Sequence, residues 1–135
     1  MRAYFKFLRT INGISSFAAV GVECVPSSAF AVQWAEGIAR FESYYPNAVE
    51  AGIAEAHRWH QEMGGGPAQF VVTEFLHLEV DTRADAVRCA ATAAAWKALG
   101  QNEADLHFEK DGEWRVFGVT VSPASILSAV RTADS

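Results

Sequence analysis

The sequence predicts an α+β domain in the order β-β-β-α-β-α, with the helices on one face of the sheet, followed by a β-β-α tail. Three observations carry this. Asn12-Gly13 separates two apolar alternating runs, a helix with apolar positions at three- and four-residue intervals ends at Gly64-Gly65-Gly66-Pro67, and an alanine-rich helix stops at Gly100. At 135 residues, 50% hydrophobic and 20% charged, the chain has the size and apolar content of a single packed domain over 1–135.

From the N-terminus, Tyr4, Lys6 and Leu8 alternate with Phe5 and Phe7, an aromatic-rich strand pattern over 2–10. Asn12-Gly13 supplies the positive φ angles of a tight hairpin, Phe17 to Val25 returns, and Pro26-Ser27-Ser28 breaks the run. Over 30–41, Phe30, Val32 and Trp34 alternate as a strand, while Trp34, Ile38 and Phe41 fit helical spacing; a strand giving way near Gly37 reconciles them. Pro46 opens a helix to about Glu62, with Val49, Ile53, Ala56 and His60 on its apolar face and His57 and Arg58 towards water.

Gln69 to Leu78 forms an apolar strand, and Asp81 or Thr82 is placed to cap the helix over 84–99. Its alanines imply close approach to a neighbour. Leu106 to Glu109 and Trp114 to Val121 flank a Lys110-Asp111-Gly112-Glu113 turn, and Ser122-Pro123 opens a short helix through Val130.

The net charge of -5 provides no global positive field for non-specific nucleic-acid binding. Two cysteines, Cys24 and Cys89, are too few for a disulfide framework and point to a reducing home. The charged N-terminal segment lacks a signal-peptide core, and no apolar run is long enough for a membrane helix. The expectation is a cytoplasmic domain without a membrane partner.

Ala48-Val49-Glu50-Ala51-Gly52-Ile53-Ala54-Glu55-Ala56, the glycine-proline break, the strand over 70–75, the turn Glu79-Val80-Asp81-Thr82 and the alanine-rich helix together resemble domain IV of translation elongation factor G, over roughly residues 1–100. That family has an A-V-E-x-G-I-x-E-A helix, a similar break and strand, and a D-V-D-S-S-type turn. The resemblance implies a ribosomal protein S5 domain 2-like fold with its left-handed βαβ arrangement. It also implies a non-catalytic role contacting the ribosome or RNA. The family's glycine-rich hairpin tip and G-S-Y-H-type loop are replaced here by Ile14-Ser15-Ser16-Phe17 and Phe75-Leu76-His77-Leu78. Residues 101–135 depart from the family and read as an added element that covers an exposed face or pairs with another copy. No phosphate-binding G-x-x-x-x-G-K-S/T loop is present, so no nucleotide is expected.

Asn12 and Gly13 at the hairpin tip, with His77, Glu79 and Asp81 near the strand end, are the candidate partner-binding residues. Arg2, Lys6 and Arg9 are the cations available to phosphates. His57 and His60 with Glu55 or Glu62 lack the H-E-x-x-H spacing of a zinc site, and neither cysteine has a base marked beside it. No catalytic residue, metal or cofactor is assigned. The alternative is a self-associating or small-ligand module, in which Phe5, Phe7, Phe17, Tyr44 and Tyr45 leave an apolar patch for a homodimer.

Overall fold

The computed structural model describes residues 1–38, 45–77 and 82–118. Strands β1 (Arg2–Ile11) and β2 (Ile14–Pro26) pair antiparallel, and their two-residue turn has Asn12 at φ 53° and Gly13 at φ 78°. Both residues thus take the left-handed conformation that a twisted hairpin requires. A short strand β3 (Ala31–Trp34) follows, and Gly37 at φ 86° turns the chain away from it.

Helix α1 (Pro46–Glu62) crosses over to strand β4 (Ala68–Leu76), which pairs parallel to β3 and antiparallel to β2. Helix α2 (Ala84–Ala98) is next, then strands β5 (Leu106–Asp111) and β6 (Glu113–Gly118). The main sheet has the order β1-β2-β4-β3, and β5-β6 is a separate two-stranded sheet. This is the α+β order read from the sequence. The expected strand over 69–78 starts one residue earlier and ends at Leu76. Leu78, the last three residues of the strand expected to reach Val121, and the helix expected over 122–130 lie outside the described residues.

The inner face of the sheet forms the core. Phe5 and Phe7 on β1 stand beside Val20 and Ala18 on β2, and Val22 and Cys24 continue the row towards Val72 and Phe70 on β4. Helix α2 lies over β1 and β2, and α1 lies beside it. Alanines make this possible: Ala90, Ala91, Ala93, Ala94 and Ala95 are fully buried, so the α2 backbone sits close to its neighbours on several sides. A Cβ on Gly52 of α1 would lie 2.5 Å from the Arg88 carbonyl oxygen and 2.8 Å from Ala91 Cβ, so the helix crossing requires glycine there.

Two sequence expectations are corrected by the packing. His57, expected in water, is the buried histidine: its Nε2 accepts a hydrogen bond from the Ala68 amide at 3.2 Å, with its ring between Phe30 and Phe70. His60 packs only partly, as expected, against Gly65 and the Gln101 side chain, and Arg58 is held in water by Glu55 and Glu62. Likewise Phe5 and Phe7 form no exposed patch. The β5-β6 hairpin covers them, Phe108 lying 5.7 Å from Phe5 and 5.3 Å from Phe7, with Trp114 edge-on to Phe7 at 5.3 Å. Phe17 and Tyr45 are half-buried, the Tyr45 hydroxyl donating to the Thr82 carbonyl, and Tyr44 lies outside the described residues.

Candidate functional site

Three chain reversals meet at one end of the sheet. The Asn12-Gly13 turn projects there because β1 and β2 run to their tips in register, Ile11 opposite Ile14. Strand β4 ends towards the same tip, Leu76 opposite Ala19, with His77 directly after it. The chain returns at Thr82, whose hydroxyl donates to the Phe17 carbonyl at 2.6 Å and ties the start of α2 to β2. Asp85 then fixes the third reversal: one carboxylate oxygen accepts from the Ala86 amide at 2.9 Å and the other from the Trp114 amide at 2.8 Å. With both oxygens engaged by amides, Asp85 holds the β5-β6 turn against the helix start.

Between these reversals lies a cleft of about 380 Å³ lined by Gly13, Ile14, Ser15, Ser16, Arg83, Asp85, Lys110 and Gly112. Arg83 and Lys110 are exposed, neither forms an ion pair among the described residues, and the Lys110 ammonium lies 5.9 Å from the centre of the Trp114 ring. The Ser15 hydroxyl is shared with Thr10 at 3.0 Å, and Ser16 is buried. Two cations, serine hydroxyls and turn backbone suit an anionic group, the Asp85 carboxylate in the same lining being occupied by the Ala86 and Trp114 amides.

Of the sequence-predicted site residues, Asn12, Gly13 and His77 come to this end, His77 with its ring 5.7 Å from that of Phe75. Glu79 and Asp81 lie outside the described residues. Thr82 does not cap α2 as expected; its hydroxyl donates to Phe17, and Arg83 occupies the cap position without a side-chain bond. The three cations of β1 do not act together. Arg2 pairs with Glu23 at 2.8 Å, Lys6 stands on the outer face, and Arg9 lies against aromatic rings, its guanidinium 5.0 Å from the Phe7 ring centre and 5.1 Å from that of Phe108. Sequence reasoning misses Arg83 and Lys110 as site residues. Only the packing of the tail hairpin brings Lys110 to the β1-β2 tip, and no local spacing announces that.

Burial pushes the Cys89 thiol up to about 12 and raises that of Cys24 as well. Burial, with the nearby His60, holds the His57 imidazole below its ordinary range. Among the described residues no group of three or more His, Cys, Asp or Glu side chains is placed to hold a metal, and no helix is long and apolar enough to cross a membrane.

No protein-family model matches the chain, and no curated protein matches it. Among solved structures, a crystal structure of a protein from Thermus thermophilus is similar over 85% of this chain, with a TM-score of 0.63 and 20% sequence identity. The chain spans 22% of the length of that protein. At this identity the likeness is one of fold.

Proposed function

We propose that this chain is a non-catalytic binding domain that presents the hairpin end of its sheet to the ribosome or another RNA partner, as its resemblance to elongation factor G domain IV implies. One observation supports this above the others: the β1-β2 tip, the start of α2 and the β5-β6 turn converge on a single cleft that carries Arg83 and Lys110. Against a net charge of -5, a local pair of cations with no ion pair among the described residues is the kind of feature that can engage phosphates without a global basic field.

The test is co-sedimentation with ribosomes and separated small subunits across a salt series. Saturable binding should weaken as salt rises, and replacing Arg83 and Lys110 by alanine should lower both the affinity and the salt slope, by about one unit for each phosphate no longer engaged. Absence of binding at low salt, or binding indifferent to both substitutions, refutes the reading.

A second reading, small-ligand binding, is favoured by a cavity of about 250 Å³ at the opposite end of the sheet, lined by Met1, Cys24, Pro26, His60, Gly66, Pro67, Ala68, Ala98 and Leu99. Its mostly apolar wall with one imidazole and one thiol suits a small apolar molecule. A metabolite panel that raises the melting temperature in the wild type, but not in a cavity-filling Ala98→Leu variant, supports this reading.

A further inference from the structure

Strand β1 is an edge of the main sheet, and among the described residues no strand pairs with its outer side. Its ten residues include Tyr4, Phe5, Phe7 and Leu8, a composition that favours strands. A long edge of this kind presents unpaired amides and carbonyls as a template for another strand.

Register identifies the groups that face outward. The Cys24 amide donates to the Met1 carbonyl at 2.8 Å and the Met1 amino group donates to the Cys24 carbonyl at 2.6 Å, so these two residues form a hydrogen-bonded pair. Such pairs alternate along an antiparallel ladder, which turns the amides and carbonyls of Arg2, Tyr4, Lys6, Leu8 and Thr10 away from β2. Side chains already hold two of these carbonyls. Lys97 Nζ, reaching from α2, donates to the Tyr4 carbonyl at 3.2 Å, and Arg9 Nη1 donates to the Leu8 carbonyl at 2.9 Å.

Both donors are held in place. Lys97 pairs with Glu103 at 3.2 Å and stands 5.9 Å from the Phe5 ring centre, while the Arg9 guanidinium lies against the Phe7 and Phe108 rings. Midway between the two capped carbonyls is Lys6, exposed and without an ion pair among the described residues.

We infer that Lys97, Arg9 and Lys6 guard the β1 edge against strand addition by a second copy of this chain. Addition that closes on itself lays β1 antiparallel to β1 about a twofold axis, and the longest overlap of the outward groups is centred on Lys6. That ladder pairs Tyr4 with Leu8 of the second copy, and Lys6 with its own equivalent. It therefore draws on the same carbonyls that Lys97 and Arg9 hold, and it sets two ammonium side chains directly opposite each other. An incoming strand has to compete with both donors and take water from three cations. The guard is independent of the RNA reading, because none of these residues lines the cleft at the hairpin tip.

The experiment is sedimentation equilibrium of the full chain from micromolar to submillimolar concentration, joined to amide hydrogen exchange. The wild type should stay at 14.7 kDa. A double variant, Arg9→Met with Lys97→Met, keeps unbranched stems and removes both donors; it should dimerise at least about tenfold more tightly than the wild type. Adding Lys6→Pro should return it to the monomer, because the Lys6 amide points outward and its loss removes no bond between β1 and β2. The Tyr4, Lys6 and Leu8 amides should exchange fast in the wild type and slow with concentration in the double variant. Circular dichroism checks the fold; if Arg9→Met disturbs the aromatic contacts, Lys97→Met alone should show the same shift to a smaller extent. A wild type that self-associates through β1, variants no more associated than the wild type, or association that survives Lys6→Pro overturns the inference.

Discussion

The Thr92 hydroxyl reaches the Gly52 carbonyl at 3.0 Å, across the line where α1 and α2 come into backbone contact. The same hydroxyl lies 2.9 Å from the Arg88 carbonyl of its own helix, so one short side chain links the two helices where they approach closely. Gly52→Ala should force the helices apart, because the added carbon would overlap backbone that cannot rotate away. A loss of about 2 kcal/mol or more is expected in urea unfolding. Thr92→Val, which keeps the shape and removes the bond, should cost about 1 kcal/mol, and a reversed order of the two variants would contradict this account.

Asp85 joins the start of α2 to the tail hairpin. Asp85→Ala leaves the Trp114 amide without its acceptor and should cost about 1 to 3 kcal/mol. Hydrogen exchange should quicken most in β5 and β6, and less in β2 and β4. Uniform acceleration throughout would show that the hairpin is not a separately anchored unit.

The buried His57 predicts a pH dependence of stability. Its folded-state pKa is lowered from the ordinary 6.5, chiefly by burial and then by His60. Below 6.5 the unfolded chain therefore binds a proton more readily than the folded one. The stabilising contribution is fully present above that value and is lost as pH falls through the folded pKa. Protonation would also abolish the acceptor that Nε2 offers to the Ala68 amide. Urea midpoints should fall between about pH 7 and about pH 5, and His57→Gln should flatten that part of the profile.

The two cysteines should resist labelling in the native state. With Cys89 fully buried and its thiol pushed up to about 12, a thiol reagent at about pH 8 should find almost no thiolate there, and Cys24 should react slowly. Both should label at once in denaturant. Rapid native labelling of Cys89 would mean that α2 separates readily from the sheet.

Where chemistry is local, the sequence is explicit. Asn12-Gly13 prescribes its turn because few residues other than glycine and asparagine accept positive φ, Pro46 and the glycine run bracket α1, and Gly112 marks the tail hairpin. The hairpin tip and His77 are also legible as site residues, since tips and strand ends are marked by turn chemistry. Arg83 and Lys110 are not, because nothing near either residue encodes that the tail hairpin folds back beside the β1-β2 tip.

The sequence by itself determined the order of the strands and α-helices among the described residues and the α+β class, because hydrophobic period and turn residues act over a few positions. Only the tertiary structure decided which histidine is buried, what covers Phe5 and Phe7, and which cations share a cleft. His57 and His60 differ by less than one helical turn, and periodicity placed His60 on the apolar face; the positions of Phe30, Phe70 and the Ala68 amide placed His57 inside instead. The physical reason is common to all three: burial and charge pairing depend on which distant surfaces meet, and those meetings are selected by the packing of the whole domain.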